Sequence, residues 1–172
     1  MTAFSALIEI HKDSIFSTCM YYADSYHDAQ DALAETMSLA WLKLDSFRKD
    51  ASSFKSWLAV IAKNACMAIY RKRKETVSLD EPPEALKAPK DTLASNETAI
   101  DEQITTAQTI REALSYLDEE SRQALILHEV AGLKMSEIAV EFGWSVDNAK
   151  ARVSRSRRKM KRLLVDMQAG PN

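Results

Sequence analysis

The densest chemistry in this chain is cationic. Residues 145–162 read SVDNAKARVSRSRRKMKR, with eight Lys or Arg and one acid, Asp147, in a chain of formal net charge −2. A second run, Arg71-Lys72-Arg73-Lys74, closes a stretch of helical periodicity. Cations at this density suit a polyanion, because each one brought to a phosphate releases condensed counterions. A simpler account exists for the second run, since cations suit the C-terminal end of a helix dipole. Four in succession exceed what the dipole asks for. Two carboxylates, Asp31 and Glu35, stand four residues apart on one polar helix face, where they read first as a solvated acidic surface.

Other chemistries find little support. Cys19 and Cys66 are far apart in sequence and read as reduced core residues. His11, His27 and His128 are isolated, and no His, Cys or carboxylate group has metal-ligand spacing. With glycine only at positions 132, 143 and 170, there is no phosphate-cradling glycine loop. Nothing marks a nucleophile. We therefore expect no catalytic residue, no metal and no cofactor. The N-terminal MTAFSALIEIHKD lacks the apolar core of a signal peptide, and no apolar run approaches a bilayer span. A cytoplasmic protein is expected.

The elements that must position these cations are helices. Gly and Pro are scarce, while Ala, Leu, Glu, Lys and Arg are common throughout. From Asp28 to Leu44, Leu33, Met37, Ala40, Trp41 and Leu44 form one stripe, with Asp31, Glu35 and Ser38 on another face. DSFRKDASS, residues 45–53, breaks the pattern as a loop. A helix from Phe54 to Lys74 turns Leu58, Ile61, Ala62, Ala65 and Ile69 inward. Residues 75–102 then carry three of the four prolines and eight acids against two lysines. That composition reads as a flexible acidic linker. The fold class expected is all-α, with two small helical domains, 1–74 and 104–172, joined by a linker over 75–103.

In the second domain Ile110, Leu114 and Leu117 share a face. Asp118 caps a helix through EESRQALILHEVA, and Gly132 stops it. MSEIAVEF, Gly143 and a long helix from Val146 to Met167 follow, the last capped by Ser145. Two helices joined at a glycine suggest a helix-turn-helix. Ala139 and Ala149 are small where such helices cross. In the last helix Ala149, Val153, Ser156, Met160 and Leu163 recur at four, three, four and three, and Leu164 widens the stripe. Lys150, Ala151, Ser154, Arg155 and Arg158 lie largely opposite, with Arg152 on a flank. From Lys150 to Arg162 there is no acid, unlike a solubility face of mixed sign. Small residues permit close approach to a groove floor, and Lys150 and Arg155 have the reach for guanine edges. A membrane-surface helix would need large aromatics on the apolar side.

These blocks together resemble a bacterial RNA polymerase sigma factor of the extracytoplasmic-function group. The resemblance rests on DAQDALAETMSLAW (28–41), FKSWLAVIAKNACMAIYRKRK (54–74) and the segment from Leu117 to Met160. It implies a promoter-specificity subunit that binds core polymerase and recognises the −10 and −35 elements, with sigma regions 2 and 4 as its two domains. Asp31 and Glu35 would dock on the clamp helices of the β′ subunit, and region 4 on the β flap. Lys63, Asn64, Arg71, Lys72, Arg73 and Lys74 would meet the −10 element, helped by the loop from Phe47 to Ser53. Trp57 would be core. Asn148, Lys150, Ala151, Arg152, Ser154, Arg155 and Arg158 would meet the −35 element, with Arg152 on a phosphate. Arg122 matches a backbone-contacting position. The resemblance also implies control by an anti-sigma protein, and no direct membrane contact.

The pattern has local departures. Lys134 stands where Ser often caps the first helix of the helix-turn-helix, a loss of about 1 kcal/mol unless Ser136 takes over. Asn148 and Ala149 replace a usual Thr-Val pair. Two other readings fit less of the chain. A decoy that only binds an anti-sigma protein has no use for both basic surfaces. A one-component regulator has no use for the blocks around Asp31 and Asn64.

Overall fold

The computed structural model describes residues 3–48, 53–77 and 108–169. Among them every regular element is helical. The order is α1 (Ala3–Tyr22), α2 (Tyr26–Leu42), a 3-10 turn at Leu44–Ser46, and α3 (Phe54–Val77). Then come α4 (residues 108–115), α5 (Glu119–Glu129), α6 (Met135–Phe142) and α7 (Val146–Ala169). The chain divides into two compact units, one built on α1–α3 and one on α4–α7. Helix α3 ends at Val77, past the expected boundary at Lys74. Positions 78–103 of the linker, 104–107 at the start of the second domain, and 49–52 of the loop after α2, lie outside the described residues.

In the first unit α1 buries Ile15, Thr18, Cys19 and Tyr22, one face at three- and four-residue spacing. Helix α3 buries Leu58, Ile61, Ala62 and Ala65 as the sequence suggests, while Ile69 is half-buried. Helix α2 differs. Its buried residues are Ala29, Ala32, Thr36 and Ala40. Leu33, Met37 and Leu44 are half-buried, and Trp41 is 58% exposed. Small side chains let α2 lie close to both neighbours, so the bulky residues flank the contact. The Thr36 hydroxyl is satisfied by donating to the Ala32 carbonyl at 2.5 Å. Ser25 caps α2: its Oγ accepts from the Asp28 amide at 3.0 Å and donates to Asp28 Oδ2 at 2.7 Å.

Cys19 and Cys66 are both free and buried, as expected, and their thiols hydrogen-bond across α1 and α3. That bond, together with burial, pushes the Cys66 thiol above its ordinary range.

In the second unit α5 is buried almost all round, through Ser121, Gln123, Ala124, Leu125, Ile126 and Leu127. Leu114 and Leu117 pack beneath it, with Ile110 half-buried. The Ser121 amide donates to Asp118 Oδ1 at 3.0 Å, which makes Asp118 the cap. Gly132 has φ +77° after the helix ends. Lys134 is the N-cap of α6, and its amide donates to Glu137 Oε2 at 2.8 Å. Glu137 thus satisfies the amide of the cap residue itself, while Lys134 supplies no side-chain cap bond. Gly143 closes α6 at φ +66°, and the Trp144 amide donates to the Ala139 carbonyl at 2.8 Å. Ala139 and Ala149 are buried on the facing helices, where their size permits the close crossing of α6 and α7.

Candidate nucleic-acid interface

Helix α7 is oriented by its apolar stripe. Ala149, Val153, Ser156 and Met160 are buried, and Leu163 and Leu164 are half-buried. Ser145 starts the helix, its Oγ accepting from the Asn148 amide at 3.2 Å. Burial of one side leaves Asn148, Lys150, Ala151, Ser154, Arg155 and Arg158 exposed on the other. Lys150 lies 3.9 Å from Asp147, an exposed pair of little strength. Arg155 and Arg158 form no ion pair or hydrogen bond among the described residues.

Three other cations of α7 turn back on the protein. Arg157 reaches Glu129 on α5, with Nε 2.8 Å from Oε1. Lys159 donates to the Tyr116 carbonyl at 2.5 Å. Arg152 extends Nη1 to Glu120 Oε2 at 3.2 Å and to Asp118 Oδ1 at 4.0 Å. Its guanidinium also covers the Trp144 ring, 4.4 Å from the centroid. The structure therefore places Arg152 differently from its neighbours, as an intramolecular contact. Burial works upward on the Asp118 carboxyl. The Ser121 amide and hydroxyl, then Arg152, outweigh it and hold the group below its ordinary range. Arg122 is half-buried on α5.

The first unit offers a second basic surface. Asn64, Arg71, Lys72 and Lys74 are exposed along α3. Two expected members depart from it. Lys63 is 7% exposed, in the wall of the bundle. Arg73 is spoken for by Asp28, Nη1 to Oδ2 at 2.5 Å, so it joins the end of α3 to the cap of α2. Asp31 and Glu35 lie together on the exposed face of α2, and Asp31 Oδ2 is 3.7 Å from His27 Nε2.

At the start of α3 the rings gather. Phe47, Phe54 and Trp57 lie 5.3–5.5 Å apart in pairs. Phe4 meets Trp41 at 5.2 Å and Phe54 at 6.4 Å. Trp57 is half-buried in this cluster, not sealed in the core. Sequence reading missed Phe4 and Trp41 as its members. The one available signal was a Trp at the edge of the α2 polar face. Among the described residues no group of His, Cys, Asp and Glu is arranged to hold a metal, and no helix is long and apolar enough to cross a membrane.

Comparison with known proteins identifies the two units. The family descriptions Sigma-70 region 2 and Sigma-70, region 4 match residues 7–76 and 107–160. The chain is 30% identical over 170 residues to the ECF RNA polymerase sigma factor SigM of Mycobacterium tuberculosis, covering 99% of this chain and 81% of that protein. It is 26% identical to SigW of Bacillus subtilis, covering 96% and 90%. Its fold matches the sigma factor RpoE of Bartonella quintana, solved with the anti-sigma factor NepR, at TM-score 0.75 and 24% identity, over 95% and 98% of the two chains. It also matches CnrH, solved with the cytosolic domain of CnrY, at TM-score 0.67 and 24% identity, over 95% and 88%. With both regions present in order and a full-length relative at this identity, the chain belongs to the extracytoplasmic-function family of RNA polymerase sigma factors, the promoter-specificity subunits of bacterial polymerase.

Proposed function

We propose that α7 reads the −35 element of a promoter and α3 engages the −10 element, within a region 2 spanning 1–74 and a region 4 spanning 104–172. The observation that carries this reading is the sorting of cations on α7. Its buried stripe sends Lys150, Ala151, Ser154, Arg155 and Arg158 outward together, and leaves Arg155 and Arg158 without an acid among the described residues. Small Ala151 and Ser154 let that face approach bases closely, while Arg155 supplies a bidentate fork. Asn148 would lie at the groove entrance. On α3, exposed Asn64 is the candidate for an unstacked base. Arg71, Lys72 and Lys74 hold the adjoining phosphates. Asp31 and Glu35 dock on the β′ clamp helices, and region 4 on the β flap. Polymerase, not this chain, makes RNA, and the site of action is the cytoplasm. The neighbours solved with NepR and CnrY support an anti-sigma protein as regulator.

Reconstituted transcription with core polymerase and a randomised promoter library tests the reading. It is expected to enrich two spaced elements and yield run-off RNA. Reversing both Asp31→Arg and Glu35→Arg is expected to abolish core binding; if binding survives, the docking face is wrong. Arg155→Ala should weaken binding to the enriched upstream element by about 1–3 kcal/mol. An equal loss on scrambled DNA would reduce Arg155 to a phosphate contact. Core binding with no enriched promoter would favour the decoy.

A further inference from the structure

Arg152 lies in the second turn of α7, yet its contacts point into the protein. Its Nη1 is 3.2 Å from Glu120 Oε2 and 4.0 Å from Asp118 Oδ1, both at the start of α5. Its guanidinium lies over Trp144, and that ring stacks on Phe142 at 4.7 Å. Trp144 is itself fixed by its amide, which bonds back to Ala139 of α6. One side chain therefore joins α7 to the cap of α5 and to the turn that leaves α6.

We infer that Arg152 is a positioning residue for recognition of the upstream promoter element, a clamp and not a phosphate contact. Two features argue against a phosphate ligand. The guanidinium is already neutralised by its acidic neighbours, and Glu119 adds a third carboxylate to the first turn of α5. A phosphate approaching Arg152 would meet those charges at short range, where Coulomb repulsion is least screened. The contact also turns the guanidinium toward the start of α5, at the far side of a cleft whose near edge is Arg155.

The clamp has a purpose in the geometry. Ala149 and Val153, the residues of α7 on either side of Arg152 that face inward, are short. They set which side of α7 faces inward, and Arg152 adds a directional tie on the flank that fixes its rotation further. A base-reading side chain one turn away, Arg155, depends on that rotation, and recognition side chains need support from neighbours that are themselves held. Arginine suits the task, because one planar group stacks on an indole and presents donors along its edge. Lysine can do only one of these at a time.

This inference rests on the proposed role of α7, so its test has two readouts. In the first, the full-length chain without DNA is followed through the indole N–H resonances of its tryptophans. Arg152→Lys and Glu120→Gln are each expected to shift the Trp144 signal while the circular dichroism spectrum stays native. An unmoved Trp144 signal in both variants overturns the clamp, whatever the DNA does. In the second, holoenzyme carrying each variant is titrated with a duplex enriched from a random pool by the unmodified holoenzyme, across a series of salt concentrations. Both variants are expected to bind three- to ten-fold more weakly, with the salt slope unchanged. A phosphate contact predicts otherwise: Arg152→Lys binds normally, and Glu120→Gln binds normally or better. That pattern overturns the proposal, as does an Arg152→Ala variant whose salt slope falls by about one. If the unmodified holoenzyme enriches no sequence, the −35 reading falls and positioning for recognition falls with it, even where the first readout shows the clamp.

Discussion

The two basic surfaces are built on opposite plans. On α3 the cations are consecutive, Arg71 to Lys74, and successive helical residues point about 100° apart. Four in a row therefore form a collar. All four are exposed, and one of them, Arg73, is bonded to Asp28 of α2. On α7 the cations and small residues recur at three and four, so they form a face. The face is kept clear because Arg152, Arg157 and Lys159, which lie off it, are each drawn to α5 or to Tyr116. A collar surrounds a helix end with charge and suits a flexible strand that can wrap. A face suits a rigid groove, where direction decides which base is met. The supports differ accordingly. The first unit relies on close contact of small residues and on rings gathered at one end. The second relies on capped turns, at Asp118, Glu137, Gly143 and Ser145.

The largest expected effect tests whether these are two units at all. Leu58 and Leu127 are both fully buried, one in each unit. Truncating either to Ala should cost about 2–5 kcal/mol. Leu58→Ala is expected to lower one melting transition and Leu127→Ala another, as followed by residue-resolved amide exchange on the full chain. Joint loss of protection in α1–α3 and α5–α7 from either variant would show a single cooperative body and remove the basis of the comparison.

The next effect falls on the turn that aims α7. Nothing lies within 4 Å of where a Cβ would stand on Gly143, so space is not the issue there. Its φ of +66° is, and a left-handed Ala costs about 1–2 kcal/mol. Gly143→Ala should lower the thermal midpoint of the second unit alone, whereas Gly143→Asn should recover part of the loss, since Asn tolerates that conformation. Equal losses for Ala and Asn would shift the blame from φ to something else at the turn.

The same contrast explains what could be read in advance. The α7 stripe was legible because Val153, Met160 and Leu163 are apolar among cations, so periodicity stood out. The caps at Asp118 and Ser145 and the stop at Gly143 were legible because their signals are local. Helix α2 was misread because its contact is made by Ala29, Ala32, Thr36 and Ala40, which carry little hydrophobic weight beside Leu33 and Trp41. The intramolecular contacts of Arg73 and Arg152 were not legible either. Their partners Asp28 and Glu120 lie 45 and 32 residues away, and a charge run gives no hint of which member bonds within the chain.

A smaller effect separates members of the collar. Asp28 is only 17% exposed at its side chain and also serves the cap of α2, so its bond to Arg73 is better sheltered than an open surface pair. With Arg73 itself half exposed, the contribution is of order 0.5–1 kcal/mol. Arg73→Ala should lower the stability of the first unit by that amount. Arg71→Ala should leave stability unchanged and weaken only the holoenzyme's retention of single-stranded −10 DNA. If the two variants exchange these phenotypes, the structural and DNA-facing assignments on the collar are reversed.

The smallest effect concerns how the second unit fixes α7 as acidity rises. Asp118 is held below its ordinary value of 3.8, because the Ser121 hydrogen bonds and the Arg152 charge outweigh burial. A carboxyl with a depressed folded value contributes stability that is fully present above the ordinary value. That contribution is lost as pH falls through the folded value, where the native state must also take up the proton. Asn at this position still caps a helix but has no proton to gain. Asp118→Asn should therefore change the melting of α5 little below the carboxylate range, and reduce it slightly at neutral pH, where Arg152 loses a charged neighbour. The difference between the two proteins should close as the solution is acidified. A gap that stays constant with pH would mean that Asp118 acts on α5 through its cap alone, and that the clamp at Arg152 is carried by Glu120 and Trp144.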